Sequence, residues 1–210
     1  MMEITDFLKN IHWLGHAGFR IDAGRTLYID PFQIGPGPAA DLVLITHSHY
    51  DHCSPEDLAK IVRDDTVIVT EKSSAATLSG NIEVLAPGDA VNLAGIGIEA
   101  VSAYNTDKAF HPRANGWLGF VINVDGVRIY HTGDSDFVPE MAGIEADIAL
   151  LPVSGTYVMN PEQAVAAARA INPEYAIPMH YGEIVGTAQQ AATFKAALEG
   201  SIKVHICDKI

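Results

Sequence analysis

Residues 41–54 read Asp41-Leu-Val-Leu-Ile-Thr-His-Ser-His-Tyr-Asp-His-Cys-Ser54. The first half is a short apolar, β-branched run of the kind that fills a buried strand. The second half brings His47, His49, Asp51, His52 and Cys53 together on one loop. Ser54 then serves as an N-cap, with Pro55 at the first helical position and Asp57 three residues beyond the cap. A loop held between a buried strand and a helix start is positioned rigidly and remains reachable. His47 and His49, two apart in an extended segment, can point to one side and chelate one ion. Asp51 and His52, after a reversal of the chain, can face a second ion beside it. Imidazole with carboxylate suits zinc, manganese or iron, and two neighbouring ions form a hydrolytic clamp. A merely solvated polar loop would have no reason to follow an apolar strand with three histidines and an aspartate.

Further strands are expected at Leu27–Asp30, Thr66–Thr70, Ile82–Leu85, Ile96–Ser102, Leu118–Val124, Val127–Thr132, Ile148–Leu151, Tyr175–Pro178 and Ile202–Cys207. Asp125-Gly126 between two of them is a two-residue hairpin signal. Asn160, Pro161 and Gln163 cap a helix running to Ala170; Thr187 and Gln190 open another, closed by Gly200. A weaker helix is expected from Glu71 to Ser79. Strands fill the first two-thirds and alternate with helices in the last third. That order predicts an α/β (α+β) chain of two packed mixed sheets with helices on the outer faces, because the hairpin stretch from 82 to 132 has no helix to cover it.

At 210 residues one core suffices, so residues 1–210 are expected to form a single domain. Asp and Glu number 26 against 13 Lys and Arg, a formal charge of −13. Like charge over most of the surface argues against a nucleic-acid or anionic-membrane partner. Cys53 and Cys207 are too few for a disulfide framework, Met1–Asn10 lacks the basic and apolar pattern of a leader, and no apolar run reaches ~18 residues. A soluble cytoplasmic protein is the expectation, with a homo-oligomer compatible with it.

His-x-His-x-Asp-His after a hydrophobic strand resembles the signature of the metallo-β-lactamase superfamily, and the resemblance runs from about residue 10 to 206. Trp13-Leu-Gly-His-Ala-Gly-Phe resembles its opening strand, Leu27-Tyr-Ile-Asp-Pro-Phe its strand ending in Asp, Tyr130-His-Thr-Gly-Asp134 its Gly-Asp motif, and Ile177-Pro-Met-His180-Tyr its late strand ending in His. The likeness is strongest to small hydrolases around the ascorbate-6-phosphate lactonases. It implies a four-layer αββα sandwich and two divalent ions, zinc first, with manganese or iron also suited. It further implies that His47, His49 and a third ligand hold the first metal, that Asp51, His52 and His180 hold the second, and that Asp134 is shared. The implied reaction is hydrolysis of a small ester, lactone or phosphodiester, anionic in the readier cases, by a metal-bridged hydroxide that Asp51 orients. The same fold also hosts iron-based oxidoreductases and could persist in a metal-free binding protein. His49, where the diiron branch typically has a carboxylate, and the nearly complete ligand set speak against these two.

The third ligand of the first metal departs from the pattern. Val101-Ser-Ala-Tyr-Asn105 ends in Asn, and the available histidine, His111, comes six residues later, before Pro112. An amide oxygen is a weakly basic ligand beside imidazole. His111 is therefore expected to complete the site, with Asn105 close by to orient it or contact substrate; the opposing reading leaves His111 on a surface loop. Asp30 is expected to hydrogen-bond the motif loop or a ligand imidazole. His16 is a candidate neighbour of the site. Tyr157 and Tyr181 are candidate substrate contacts at its mouth. His131 faces away from Asp134 by strand alternation and reads as a buried, hydrogen-bonded residue; Cys53 reads as packing.

Overall fold

Period-two burial organises the first sheet. In the computed structural model, which describes residues 3–210, Leu27, Ile29, Leu42, Leu44 and Val69 join one large hydrophobic cluster, while their alternates Tyr28, Val43, Ile45 and Ile68 join a smaller one on the opposite face. Six strands make this sheet in sequence order: β1 (Ile11–Gly15), β2 (Gly18–Asp22), β3 (Thr26–Ile29), β4 (Leu42–Leu44), β5 (Val67–Thr70) and β6 (Asn81–Val84). β1 to β3 pair antiparallel and β3 to β6 parallel. The second sheet runs β7 (Ala90–Leu93), β8 (Ile96–Ser102), β9 (Leu118–Val124), β10 (Val127–His131), β11 (Ile148–Pro152), β12 (Tyr175–Met179) and β13 (Lys203–Val204), antiparallel from β7 to β10 and parallel from β10 to β13. Ile98, Ile122 and Ile129 of this sheet share the large cluster with Leu42 and Leu44 of the first, so that cluster lies between the sheets.

Five helices are described, three of them covering the outer faces. In chain order they are α1 (Ile4–Phe7), α2 (Pro55–Leu58), α3 (Lys72–Ala75), α4 (Pro161–Ile171) and α5 (Ala188–Leu198). Leu58 of α2 seals the smaller cluster, and α4 packs on α5 and on β11, whose five residues are all buried. The four-layer arrangement of two mixed sheets is the expected one. The caps at Ser54, Asn160 and Thr187 are all made, the last two as reciprocal capping boxes. Asp125 (φ 53°) and Gly126 (φ 82°) form the left-handed pair a tight hairpin turn needs.

Some boundaries differ. The Trp13 to Phe19 stretch is a hairpin of β1 and β2, folded at Gly15 (φ 102°) and His16 (φ 51°), rather than one opening strand. The α2 and α3 signals produce single turns, and the expected strand Ile202–Cys207 shrinks to Lys203–Val204, an edge that pairs with only Tyr175 and Ala176. Short elements at sheet edges have few partners to extend them. Met1 and Met2, the beginning of the stretch read for a leader, lie outside the described residues. Among the described residues no helix is long and apolar enough to cross a membrane.

Candidate metal centre

The chemistry-bearing side chains gather where strands end. The loop after β4 carries Thr46 to His52, Asp30 follows β3, Asp134 follows β10, and His180 follows β12. These are carboxyl ends of parallel strands, where open sheets leave a crevice. The expected reversal is present: the backbone N–H groups of His52 and Cys53 both donate to the His49 carbonyl, turning Asp51 and His52 away from His47 and His49. His16 joins from the β1–β2 turn, and its carbonyl accepts from the His180 N–H at 2.8 Å, linking the two sheets at the site.

Two donor groups result. The ligand atoms of His47, His49 and His111 lie within 4.8 Å of one another, and so do those of His16, Asp51, His52 and His180. Asp134 stands between them. Its Oδ2 is 3.1 Å from His180 Nε2 and 3.3 Å from His111 Nε2, and its Oδ1 is 3.4 Å from His52 Nε2. In the first group His47 Nε2 lies 3.0 Å from His49 Nδ1. In the second, His16 Nε2 lies 3.0 Å from Asp51 Oδ2.

A surrounding layer of hydrogen bonds aims these rings. Asp30, fully buried, accepts from Thr46 N–H and from the Thr46 hydroxyl, and its Oδ2 also takes His52 Nδ1–H at 2.7 Å. Because the Thr46 hydroxyl donates to Asp30, it accepts from His47 Nδ1 at 2.9 Å. One carboxylate thus fixes a ring in each group and leaves both Nε2 atoms facing inward. Asn105 does the same for His111: its Oδ1 accepts from the His111 N–H and Nδ1–H, while its Nδ2 donates to the Tyr157 carbonyl. Ser154 Oγ lies 3.0 Å from His180 Nδ1. The loop that delivers His111 is tied down by buried Asp136, which accepts from Thr106 N–H and pairs with Lys108 at 2.6 Å. Gly133 precedes Asp134 at φ 62°, where a Cβ would collide with the Leu118 carbonyl oxygen.

Charge is divided unevenly. Burial holds His47 well below the ordinary imidazole range and lowers His49 too; neighbouring histidines push both the same way. Burial also opposes charge on His52, yet Asp134 and Asp30 together hold it well above that range. Burial likewise opposes ionisation of Asp134, but His180 and His52 outweigh it and hold the carboxyl well below its usual value. Asp51 shows the same balance, with His16 outweighing burial.

The structure brings together all seven expected ligand residues, with Asp30 and Asn105 behind them. Tyr157 lines the cavity above the site, but Tyr181 does not: its ring is buried and stacks on Trp13 at 4.9 Å. His131 lies outside the donor groups, with Nε2–H donating to the Ala17 carbonyl and Nδ1 accepting from Gly133 N–H. Sequence reasoning missed Thr46, Ser154 and Trp117, whose indole lies 4.7 to 5.5 Å from the rings of His47, His49 and His111. Thr46 adjoins the motif and could have been found; Ser154 and Trp117 carry no local signal.

These residues fit a metal. His52 Nε2, His111 Nε2 and Asp134 Oδ1 are buried without a hydrogen bond although they face one another. Such orphaned groups are costly unless something satisfies them. Two ligands ~2.0–2.1 Å from one tetrahedral ion lie about 3.3 Å apart, close to the 3.0–3.4 Å spacings observed. A cavity of about 290 Å³ opens over His49, Asp51, His111 and Asp134. A larger one of about 680 Å³, beside α5 and β13, contains none of these residues.

Residues 10–180 match the family model described as the beta-lactamase superfamily domain. The chain therefore belongs to the metallo-β-lactamase superfamily, whose fold and histidine-rich site it displays. Within it, the chain belongs to the UPF0173 metal-dependent hydrolases: one such protein, from Methanoculleus marisnigri, is 35% identical, with 92% of this chain and 90% of the relative covered. A solved structure from Parabacteroides distasonis, likewise titled a metal-dependent hydrolase, superposes with a TM-score of 0.86 at 33% identity, covering 94% of this chain and 91% of its own. A metallo hydrolase of Ignicoccus hospitalis superposes with a TM-score of 0.76 at 25% identity over 95% and 94% of the two chains.

Proposed function

We propose that this hydrolase holds two divalent ions, zinc first and manganese or iron as alternatives, and cleaves a small ester, lactone or phosphodiester. The observation that carries the reading is the set of buried, unpartnered atoms of His52, His111 and Asp134, converging from separate loops. His47, His49 and His111 would hold one ion, Asp51, His52 and His180 the other, and Asp134 would serve both. Ions bound there would supply a Lewis acid for the substrate oxygen and a water acidified towards neutrality. Asp51 lines the cavity with Oδ2 held by His16, so its carboxylate is oriented to take a proton from the attacking water and return it to the leaving group. Asp30, Asn105, Thr46 and Ser154 keep the imidazoles aimed and in one tautomer. The Trp117 indole shields the first group from solvent. The same reading has the whole chain act as one domain in the cytoplasm on a small molecule, with no nucleic-acid or membrane partner.

The test is metal analysis of protein purified without added metal, followed by a panel of esters, lactones and phosphodiesters. Two ions per chain and hydrolysis that disappears on chelation and returns with metal are expected. Protein that binds no zinc, manganese or iron, and hydrolyses nothing in the panel when they are supplied, overturns it.

A further inference from the structure

Among the described residues six large hydrophobic side chains are exposed, and three of them, Tyr50 (68%), Phe110 (50%) and Ile184 (37%), line the cavity over the metal centre. Two of them are backed by aromatic neighbours. Phe32 meets Tyr50 edge-on at 5.8 Å, and Tyr157 meets Phe110 edge-on at 4.7 Å. Among the described residues no Lys or Arg lines the cavity. The three basic residues nearest in sequence to its walls are committed elsewhere: Lys108 to Asp107 and Asp136, Arg113 to Glu140, and Arg128 to Glu99. Among the described residues the only charged side chains that line it, apart from the histidines, are Asp51 and Asp134.

Apolar surface clustered around a polar floor marks a binding site, and convergent polar groups at the base fix the reacting end of a ligand. We infer, resting on the hydrolase reading above, that the substrate is a carboxylic ester or lactone bearing an uncharged alkyl or aryl group. That group sits against Tyr50, Phe110, Tyr157 and Ile184 while the scissile carbonyl faces Asp51 and Asp134. An anionic group remote from the reacting carbonyl would meet no cation of the chain and would lose its hydration against aromatic walls. A cavity of about 290 Å³ is at the small end of ligand sites, so the group is a short chain or a single ring.

The experiment compares zinc-loaded protein on p-nitrophenyl esters from acetate to hexanoate with same-length acyl chains ending in carboxylate. For the neutral series kcat/KM should rise about fourfold per methylene, the equivalent of ~0.8 kcal/mol for each buried CH₂, until the cavity is full. The carboxylate-ended chains should be slower by about tenfold or more. Ile184→Ala and Phe110→Ala should flatten the rise with metal content unchanged, and Ile184→Lys should narrow the gap between neutral and anionic chains. A flat neutral series, or a preference for the anionic one, overturns the inference while leaving the hydrolase reading standing. If no ester is cleaved, binding decides: ligand-observed NMR should detect 4-phenylbutyramide in the cavity and not glutaramate. Binding of the amide, lost in Ile184→Lys, then keeps the preference for an uncharged group and overturns the ester assignment; no binding, or preference for glutaramate, overturns the preference as well.

Discussion

The group of His47, His49 and His111 rests against an indole, whereas that of His16, Asp51, His52 and His180 is built around carboxylates and a hydroxyl. The first has no acid of its own, and burial disfavours charge on His47 and His49. The second contains Asp51 and has Asp30 directly behind His52. An ion in the first group would therefore depend on how accurately the loop from Asn105 to Pro112 presents His111. An ion in the second would depend on charge. Asp134 and Asp30 are the two groups that belong to both.

The strongest test of that contrast removes what the groups share. Asp30→Ala deprives His52 and, through Thr46, His47 of their anchor. It should weaken metal binding in both groups by about 10–100-fold each and destabilise the fold by roughly 3–5 kcal/mol, since a buried charged partner is left alone. Titration with metal and thermal melting will measure both, and loss confined to one group would break the link through Thr46. Asp51→Ala is expected to act on the second group alone, reducing turnover by about 10²–10⁴-fold while the melting curve of the metal-free protein stays near wild type. His111→Ala should instead empty the first group. Near-wild-type turnover in metal-loaded Asp51→Ala would remove the dinuclear mechanism.

Chelation sharpens the comparison from the other side. Ions bind only the folded arrangement, so their removal should lower stability by about 2.7 kcal/mol per site for metal held at one hundred times its Kd; an unchanged melting curve after verified removal contradicts it. Asn105→Ala frees His111 to rotate and should cost about tenfold in affinity at the first group while sparing the second. Competition with a chromogenic chelator can resolve the two steps.

The smallest effect belongs to a site away from both. Asp57, in the turn after the motif loop, accepts from the Ser54 hydroxyl and from the Gln33 and Ile34 N–H groups. Burial opposes its charge, but Lys60, Ser54 and these donors outweigh burial and lower its pKa below the ordinary value. Its contribution to stability is therefore present above the unfolded value near 3.9 and lost as pH falls through the lower folded value. Asp57→Asn should cost about 1 kcal/mol at pH 7, with the difference from wild type narrowing below about pH 4 and metal content unchanged at pH 7.

The motif from His47 to His52 was legible because its reversal is local: two N–H groups on one carbonyl need no distant partner. The position of His111 beside His47 and His49 followed from loop length and the poor donor at Asn105, and alternation placed His131 outside the donor groups. That Asp134 and His180 reach the motif came from the resemblance, and His16 was expected only as a neighbour; what could not be read was the detail of how the two sheets meet. His16 enters the second group because its carbonyl bonds to His180 across the sheets, and Tyr181 is drawn from the mouth onto Trp13 by the same junction. Ser154 and Trp117 are likewise placed by tertiary contacts alone. Edge elements such as β7 and β13 were misjudged or missed, because their extent is set by a single neighbour rather than by their own pattern.

The bond between the His16 carbonyl and the His180 N–H also dictates when the centre can exist. A chain made from its N-terminus exposes His16, His47, His49 and His52 long before His111, Asp134 and His180 have been synthesised. Through that interval the early histidines form only an incomplete chelate, open to any passing ion and committed to none. The complete donor set appears when the parallel half of the second sheet docks, close to the end of assembly. Capture of ions by the full donor set would therefore fall late in assembly, and a partly built or misdocked molecule would fail to retain them.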